Sequence, residues 1–178
     1  MARTRHIRGK FRRVEVMFKI VTVCTGNICR SPMAHALLDA QLSAAGLQDQ
    51  VSVMSAGISD EEHGNPVDSR AATVLARNDL ELPDHQAHRI TDDELRDADL
   101  LLAMTAAHQA ELRRRLGDEQ ADQVRLMRSF GAEDFHDNDL DIADPWYGGA
   151  DDFDLAWEQI RAAAPHVVSE VSQRLTRR

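Results

Sequence analysis

Two spacings of apolar residues alternate along this chain. Phe18 to Val23 is a short continuous run rich in β-branched residues, the pattern of a strand buried on both faces of a parallel sheet. Val51 to Met54, Leu100 to Met104 and Val124 to Met127 read the same way, the second run leading into Ser55-Ala56-Gly57. Between these runs the spacing changes to three and four. Pro32 suits the first position of a helix whose stripe is Ala34, Leu37, Leu38, Leu42 and Ala45, with Gly46 as its C-terminal cap. Asp68 is placed to cap a helix with Ala71, Val74, Leu75 and Asn78 on its inner face. Thr91 and Glu94 form a capping box for a short helix ending near Ala98, and Thr105 opens a helix that Gly117 closes. The last helix has the longest period: Phe153, Ala156, Trp157, Ile160, Ala164, Val167, Val168, Val171 and Leu175. Pro165 lies off that stripe and is expected to kink it.

Four strands alternating with helices predict an α/β fold, a doubly wound four-stranded parallel sheet with helices on both faces. Ligands of such sheets sit at the carboxyl ends of the strands, where Cys24 falls. No internal repeat and no linker divides the chain, so residues 17–178 read as one domain. Residues 1–16 carry six Lys and Arg against Glu15, about +5, in a chain of 178 residues with net charge −9; the remainder is therefore −14. This basic stretch reads as a solvated tail outside the fold, and Met17 is a second candidate start. The acidic balance argues against nucleic acid as a partner. No run of about eighteen apolar residues predicts a membrane span, and no apolar secretory segment opens the chain. Two cysteines five positions apart make no disulfide scaffold, and the reducing cytoplasm is the simpler setting.

The chemistry concentrates where the first strand ends, in Cys24-Thr25-Gly26-Asn27-Ile28-Cys29-Arg30-Ser31. A strand, a tight loop and a helix start would bring backbone N–H groups onto one point and favour an anion there. Arg30 adds a planar fork matching two phosphate oxygens. A thiol at the floor of that cup is expected to ionise readily, and a thiolate beneath an anion cradle suits attack on phosphorus. Expelling an alkoxide or phenoxide needs a proton, so such a site also requires an acid facing the thiolate. Asp144, in Asp144-Pro145-Trp146-Tyr147, is the candidate, although Asp-Pro alone is also an ordinary acidic turn.

The octet from Cys24 to Ser31 resembles the signature loop of the low-molecular-weight protein tyrosine phosphatases, and Asp144-Pro145 followed by aromatic residues resembles that family's second signature. The resemblance runs from Met17 to about Leu175. It implies a sheet in the order 2-1-3-4 and hydrolysis of phosphotyrosine in protein substrates through a phosphocysteine, with no metal or other cofactor. It makes Cys24 the nucleophile, Arg30 the phosphate clamp and Asp144 the acid and later the base. Thr25, Gly26, Asn27, Ile28, Cys29 and Ser31 complete the phosphate-binding loop. Ser31 would also hydrogen-bond the departing thiolate. Asn27 tolerates a left-handed backbone, and the resemblance makes Ser55 and His85 its braces. Trp146 and Tyr147 would wall the substrate pocket. Cys29 is either a small core residue or, as in the family, a redox guard that forms a reversible disulfide with the nucleophile. His85 and His88 have a zinc-like spacing, but no further ligand cluster accompanies them.

Three positions depart from the family's pattern. Asp60-Glu61-Glu62-His63 stands where relatives carry an aromatic residue, so the ring pocket would depend on Trp146 and Tyr147 and substrates with basic surroundings would be favoured. Thr105 replaces an aspartate after the third strand, which leaves Arg70 in need of another partner. Trp146 stands where tyrosine or phenylalanine is usual. Arsenate reductase of the same fold is one alternative, but two cysteines cannot build a thiol relay. Protein arginine phosphatase is another; that branch tends to carry threonine where this chain has Ile28. A phosphopeptide-binding module is the non-enzymatic alternative, and it would lack either the nucleophile or the acid. The Arg113-Arg114-Arg115 run reads as a solvated helix face.

Overall fold

The run that begins at Phe18 forms the centre of the sheet. A computed structural model of the protein describes residues 17–134 and 139–177; the basic stretch 1–16 lies outside the described residues. The elements are β1 (Phe18–Cys24), α1 (Arg30–Ala44), β2 (Val51–Gly57), α2 (Ser69–Arg77), α3 (Asp92–Asp97), β3 (Leu100–Ala103), α4 (Ala106–Leu116), β4 (Val124–Leu126) and α5 (Ala150–Thr176). The strands are parallel in the order β2-β1-β3-β4. That is the order the sequence comparison implied.

Alternation along the central strands explains their apolar runs. Phe18, Ile20 and Cys24 of β1, with Leu100 and Leu102 of β3, join the core that holds the inner faces of α1, α2 and α5. Val21 and Val23, with Leu101 and Ala103, join a second core with Leu95 and Leu112 of α3 and α4. Each strand thus buries both faces and has no polar side to show in its sequence. Burying a side chain the size of leucine contributes about 1.5–3 kcal/mol, so these two layers dominate the stability of the sheet.

Several boundaries differ from expectation for identifiable reasons. Helix α1 starts at Arg30, so Pro32 is its third residue; the first four N–H groups of a helix have no internal partner, and proline is harmless there. Ala45 is the exposed C-cap rather than part of the stripe. Gly46 follows it at φ 73°, and the Gly46 and Leu47 amides close back on the Ser43 and Leu42 carbonyls, satisfying two orphan acceptors. Asn78 caps α2, donating Nδ2 to the Val74 carbonyl, and does not face inward. Strand β2 extends through Ser55 to Gly57, because Thr22, Val23 and Cys24 offer it pairing that its own residues do not advertise. Met104 and Met127 are buried just past the ends of β3 and β4. Arg115 is not solvated: it reaches the Ile90 carbonyl at 3.0 Å and Asp92 at 2.6 Å. Helix α5 is continuous through the exposed Pro165. Among the described residues no helix is long and apolar enough to cross a membrane.

Candidate active site

The loop between β1 and α1 is shaped by what holds its carbonyls. Ile58 N–H binds the Cys24 carbonyl at 3.0 Å, Ser59 N–H the Thr25 carbonyl at 3.0 Å, and Asp68 N–H the Ile28 carbonyl at 2.8 Å. His85 Nε2 donates to the Asn27 carbonyl at 2.7 Å. A trans peptide points its N–H opposite its C=O, and no described peptide is cis. The four tethers therefore turn the amides of Thr25, Gly26, Ile28 and Cys29 away from the anchoring segments and toward the cup. Asn27 makes the turn at φ 60°, as its short amide side chain allows. Gly57 is needed beside it, since a Cβ there would lie 2.6 Å from the Thr25 carbonyl oxygen.

Cys24 is the buried floor of this cup. Its Sγ lies 3.0 Å from Ser31 Oγ. Asn27 Nδ2 donates to that hydroxyl at 3.0 Å, which leaves the serine proton for the sulfur or for the Ala56 carbonyl at 3.3 Å. Thr22 Oγ1 fixes the Ser31 carbonyl at 2.8 Å from below. Cys29 differs sharply in character. Burial pushes its thiol well above the ordinary range, and the charges of Asp68, Cys24 and Asp144 push it further. The Cys29 thiol is thus held protonated.

Arg30 is 3% exposed. Its Nη1 donates to the Ile142 carbonyl at 3.1 Å and its Nη2 to Asp144 Oδ2 at 2.7 Å. Its Nε is buried with no hydrogen-bond partner among the described residues, an orphan donor of the kind an oxyanion would satisfy. Asp144 is half-exposed above it. The carboxylate accepts the Trp146 amide on Oδ1 at 3.2 Å, an Asx-type turn across Pro145. Ile142 N–H reaches the Met104 carbonyl and Ala143 N–H reaches Gln159 Oε1, so the acid-bearing loop is pinned to the residue that follows β3 and to α5.

These groups line one cavity of about 170 Å³, with Cys24, Arg30 and Asp144 inside and Ile28, Trp146 and Tyr147 on its wall. Tyr147 is almost fully exposed, so the outer wall is open. Glu61 and Glu62 form the facing rim. Arg70 finds its partner in Asp68, two residues earlier, through a bidentate pair at 3.0 Å on each arm. Its remaining arm donates to the carbonyls of Trp146 and Gly148 at 3.3 and 3.0 Å, and it lies over the Phe153 ring at 4.5 Å.

Not every residue expected at the site falls there. Ser55 is buried on β2 opposite Thr22, and no hydrogen bond joins it to Asn27. Its place in the brace is taken by Ser31 and by the His88 amide, which donates to Asn27 Oδ1 at 3.2 Å. The register explains this: Ser55 is level with Thr22, two residues below the loop. His88 Nε2 lies 3.0 Å from Glu94 Oε1, and among the described residues no three side chains of metal-binding type cluster. His108 was not foreseen. Its ring is buried between Thr25 and Thr105, and the only signal in the sequence is a histidine three positions after a helix cap.

A family model described as low molecular weight phosphotyrosine protein phosphatase matches residues 19–177. The low molecular weight protein-tyrosine phosphatase A of Mycobacterium bovis is 42% identical over 158 residues, covering 89% of this chain and 94% of that protein. YfkJ from Bacillus subtilis superposes with a TM-score of 0.82 at 25% identity, covering 89% of this chain and 97% of that one. The YwlE arginine phosphatase from Geobacillus stearothermophilus superposes with a TM-score of 0.76 at 27% identity, covering 90% and 96%. With the sheet order, the thiol cup and the facing acid already in place, the near-complete match shows that the chain belongs to the low molecular weight phosphotyrosine protein phosphatase family.

Proposed function

We propose that this protein hydrolyses phosphotyrosine in protein substrates through a phosphocysteine intermediate. The observation that carries the reading is the convergence of Cys24 Sγ, the Arg30 guanidinium and the Asp144 carboxyl on one cavity. Cys24, as thiolate, attacks phosphorus in line with the phenol oxygen. The loop amides and Arg30, its Nε included, hold the equatorial oxygens. Asp144 protonates the leaving phenol oxygen as the P–O bond breaks. The carboxylate then takes a proton from the water that displaces sulfur, releasing phosphate and the thiolate, which the Ser31 hydroxyl stabilises. Cys29, held as a thiol, does not compete as nucleophile. A thiolate enzyme of this kind works in a reducing compartment, which favours the cytoplasm.

Ile28 supports phosphotyrosine over phosphoarginine, because an apolar side chain on the cavity wall suits an aromatic ring better than a guanidinium. The acidic rim at Glu61 and Glu62 favours phosphotyrosine flanked by Lys or Arg. The test is a panel of phosphotyrosine, phosphoarginine and phosphoserine peptides with wild type and Cys24→Ser. Selective release of phosphate from phosphotyrosine by wild type alone supports the reading. Near wild-type turnover by Cys24→Ser, or a preference for phosphoarginine, overturns it.

A further inference from the structure

Both nitrogens of the His108 ring are engaged by threonine hydroxyls. Nε2 lies 3.0 Å from Thr25 Oγ1 and Nδ1 lies 3.0 Å from Thr105 Oγ1. Thr105 Oγ1 also accepts the His108 backbone N–H at 3.3 Å, so the ring, the cap of α4 and the end of β3 form one unit. His108 is 4% exposed, whereas Thr25 sits at the exposed edge of the cavity. The first limb of the loop is therefore held on two sides. Ile58 and Ser59 hold its carbonyls from the β2 side, and His108 holds its side chain from the α4 side.

We propose that His108 is a positioning residue for the phosphate-binding loop. Strung between the hydroxyls of Thr25 and Thr105, its imidazole fixes the peptide units on either side of Thr25 and so aims two of the amides that face the bound phosphate. The inference rests on the catalytic reading of the Cys24 loop given above. An imidazole with one N–H donor and one bare nitrogen matches two hydroxyls in either tautomer, because each hydroxyl can donate or accept. An imidazolium would present two donors and no acceptor. Burial holds the ring in its neutral form, pushing its pKa down to about 4; the nearby Arg30 guanidinium adds to this and the Asp144 carboxylate opposes it. His108 therefore keeps the same hydrogen-bonding character throughout the range in which the enzyme would work. It moves no proton and touches no substrate.

The experiment compares the full chain as wild type, Thr25→Val, His108→Gln, His108→Ala and the pair Thr25→Val/His108→Ala, with Cys24→Ser as control. With p-nitrophenyl phosphate, kcat and KM are measured from about pH 5 to about pH 8, and vanadate inhibition reports the affinity of the anion cup. Thr25→Val and His108→Ala are each expected to weaken vanadate and lower kcat/KM by about tenfold, from misaligned amides. The pair should do no worse than the worse single variant, since both remove the same contact. His108→Gln, which can still reach Thr25 Oγ1, should recover part of the loss. The shape of the pH profile should be the same in wild type and in these four variants. Losses that multiply, wild-type vanadate affinity in Thr25→Val, or disappearance of a pH limb on removing His108 would each overturn the inference. Thr25 is at the surface, so its variant carries the test even if His108→Ala fails to fold. An inert Cys24→Ser beside an unimpaired Thr25→Val overturns this inference alone, whereas an active Cys24→Ser overturns the catalytic reading beneath it.

Discussion

Replacing Asp144 by Asn removes the proposed proton donor while preserving its shape. The amide oxygen can still accept the Trp146 N–H that the carboxylate accepts at 3.2 Å, so the turn across Pro145 should persist. Arg30 loses the 2.7 Å partner on Nη2 but keeps the Ile142 carbonyl on Nη1 at 3.1 Å. Because Asp144 is half-exposed, breaking this pair should change stability by no more than about 1 kcal/mol. Loss of a general acid lowers kcat by roughly 10²- to 10⁴-fold. Anion affinity should not fall. Removing a carboxylate beside a bound dianion relieves about 1 kcal/mol of repulsion in water-like surroundings, so vanadate should bind equally well or up to about fivefold tighter. The assay is steady-state hydrolysis of aryl phosphates whose phenols range from acidic to basic. A missing acid hurts most where the leaving group most needs its proton, so the loss in kcat/KM, which reads only as far as the step that expels the phenol, should grow as the phenol becomes more basic. A loss in kcat/KM of the same size for every phenol, or a kcat within about threefold of wild type, would refute the role given to Asp144.

Arg70→Met removes the donors to the Trp146 and Gly148 carbonyls, and kcat should fall about tenfold with vanadate affinity unchanged, measured on the same substrates. Glu61→Gln with Glu62→Gln should erase the preference for peptides with Lys or Arg beside the phosphotyrosine; wild type should lose that preference in high salt, as competition between peptides would read. Cys29 is held as a thiol by burial, so its attack on peroxide-oxidised Cys24 should be slow; intact mass should show loss of two hydrogens in wild type and none in Cys29→Ser, and equal behaviour of the two would remove the guard role. Between pH 6.5 and about 4 the unfolded chain binds a proton that folded His108 refuses, so stability falls as pH drops through that window. The part due to His108 is on the order of 3 kcal/mol. Urea unfolding should therefore show a flatter acid limb in His108→Gln, and an unchanged limb would contradict the burial argument.

The parts of this structure that could be read from the chain are those whose cause is local. Phe18 to Val23 buries both faces, so its run is apolar throughout; Thr91 with Glu94 and Thr105 cap their helices with their own side chains. The cup was legible because Cys24, Asn27, Arg30 and Ser31 lie within one turn of chain. What escaped depends on partners far away in sequence. Ser55 was misplaced because register, not residue type, sets it level with Thr22. His108 was overlooked because its partner Thr25 is 83 positions distant. The salt bridge that frees Arg70 from needing an acid after β3 uses Asp68, whose visible role was only to cap α2. Asp144 was found by chemistry: a thiolate that attacks phosphorus calls for an acid, and the fold brings that residue to Arg30 across 114 positions.

The most direct measurement is capture of the covalent intermediate. Wild type and Asp144→Asn are mixed with a phosphotyrosine peptide, quenched in acid within a turnover, and mapped by tandem mass spectrometry. The account predicts one phosphoryl group on Cys24, none on Cys29, and a longer-lived adduct in Asp144→Asn, where the base for hydrolysis is missing. Phosphoryl on Cys29, or turnover with no adduct on either cysteine, would contradict it.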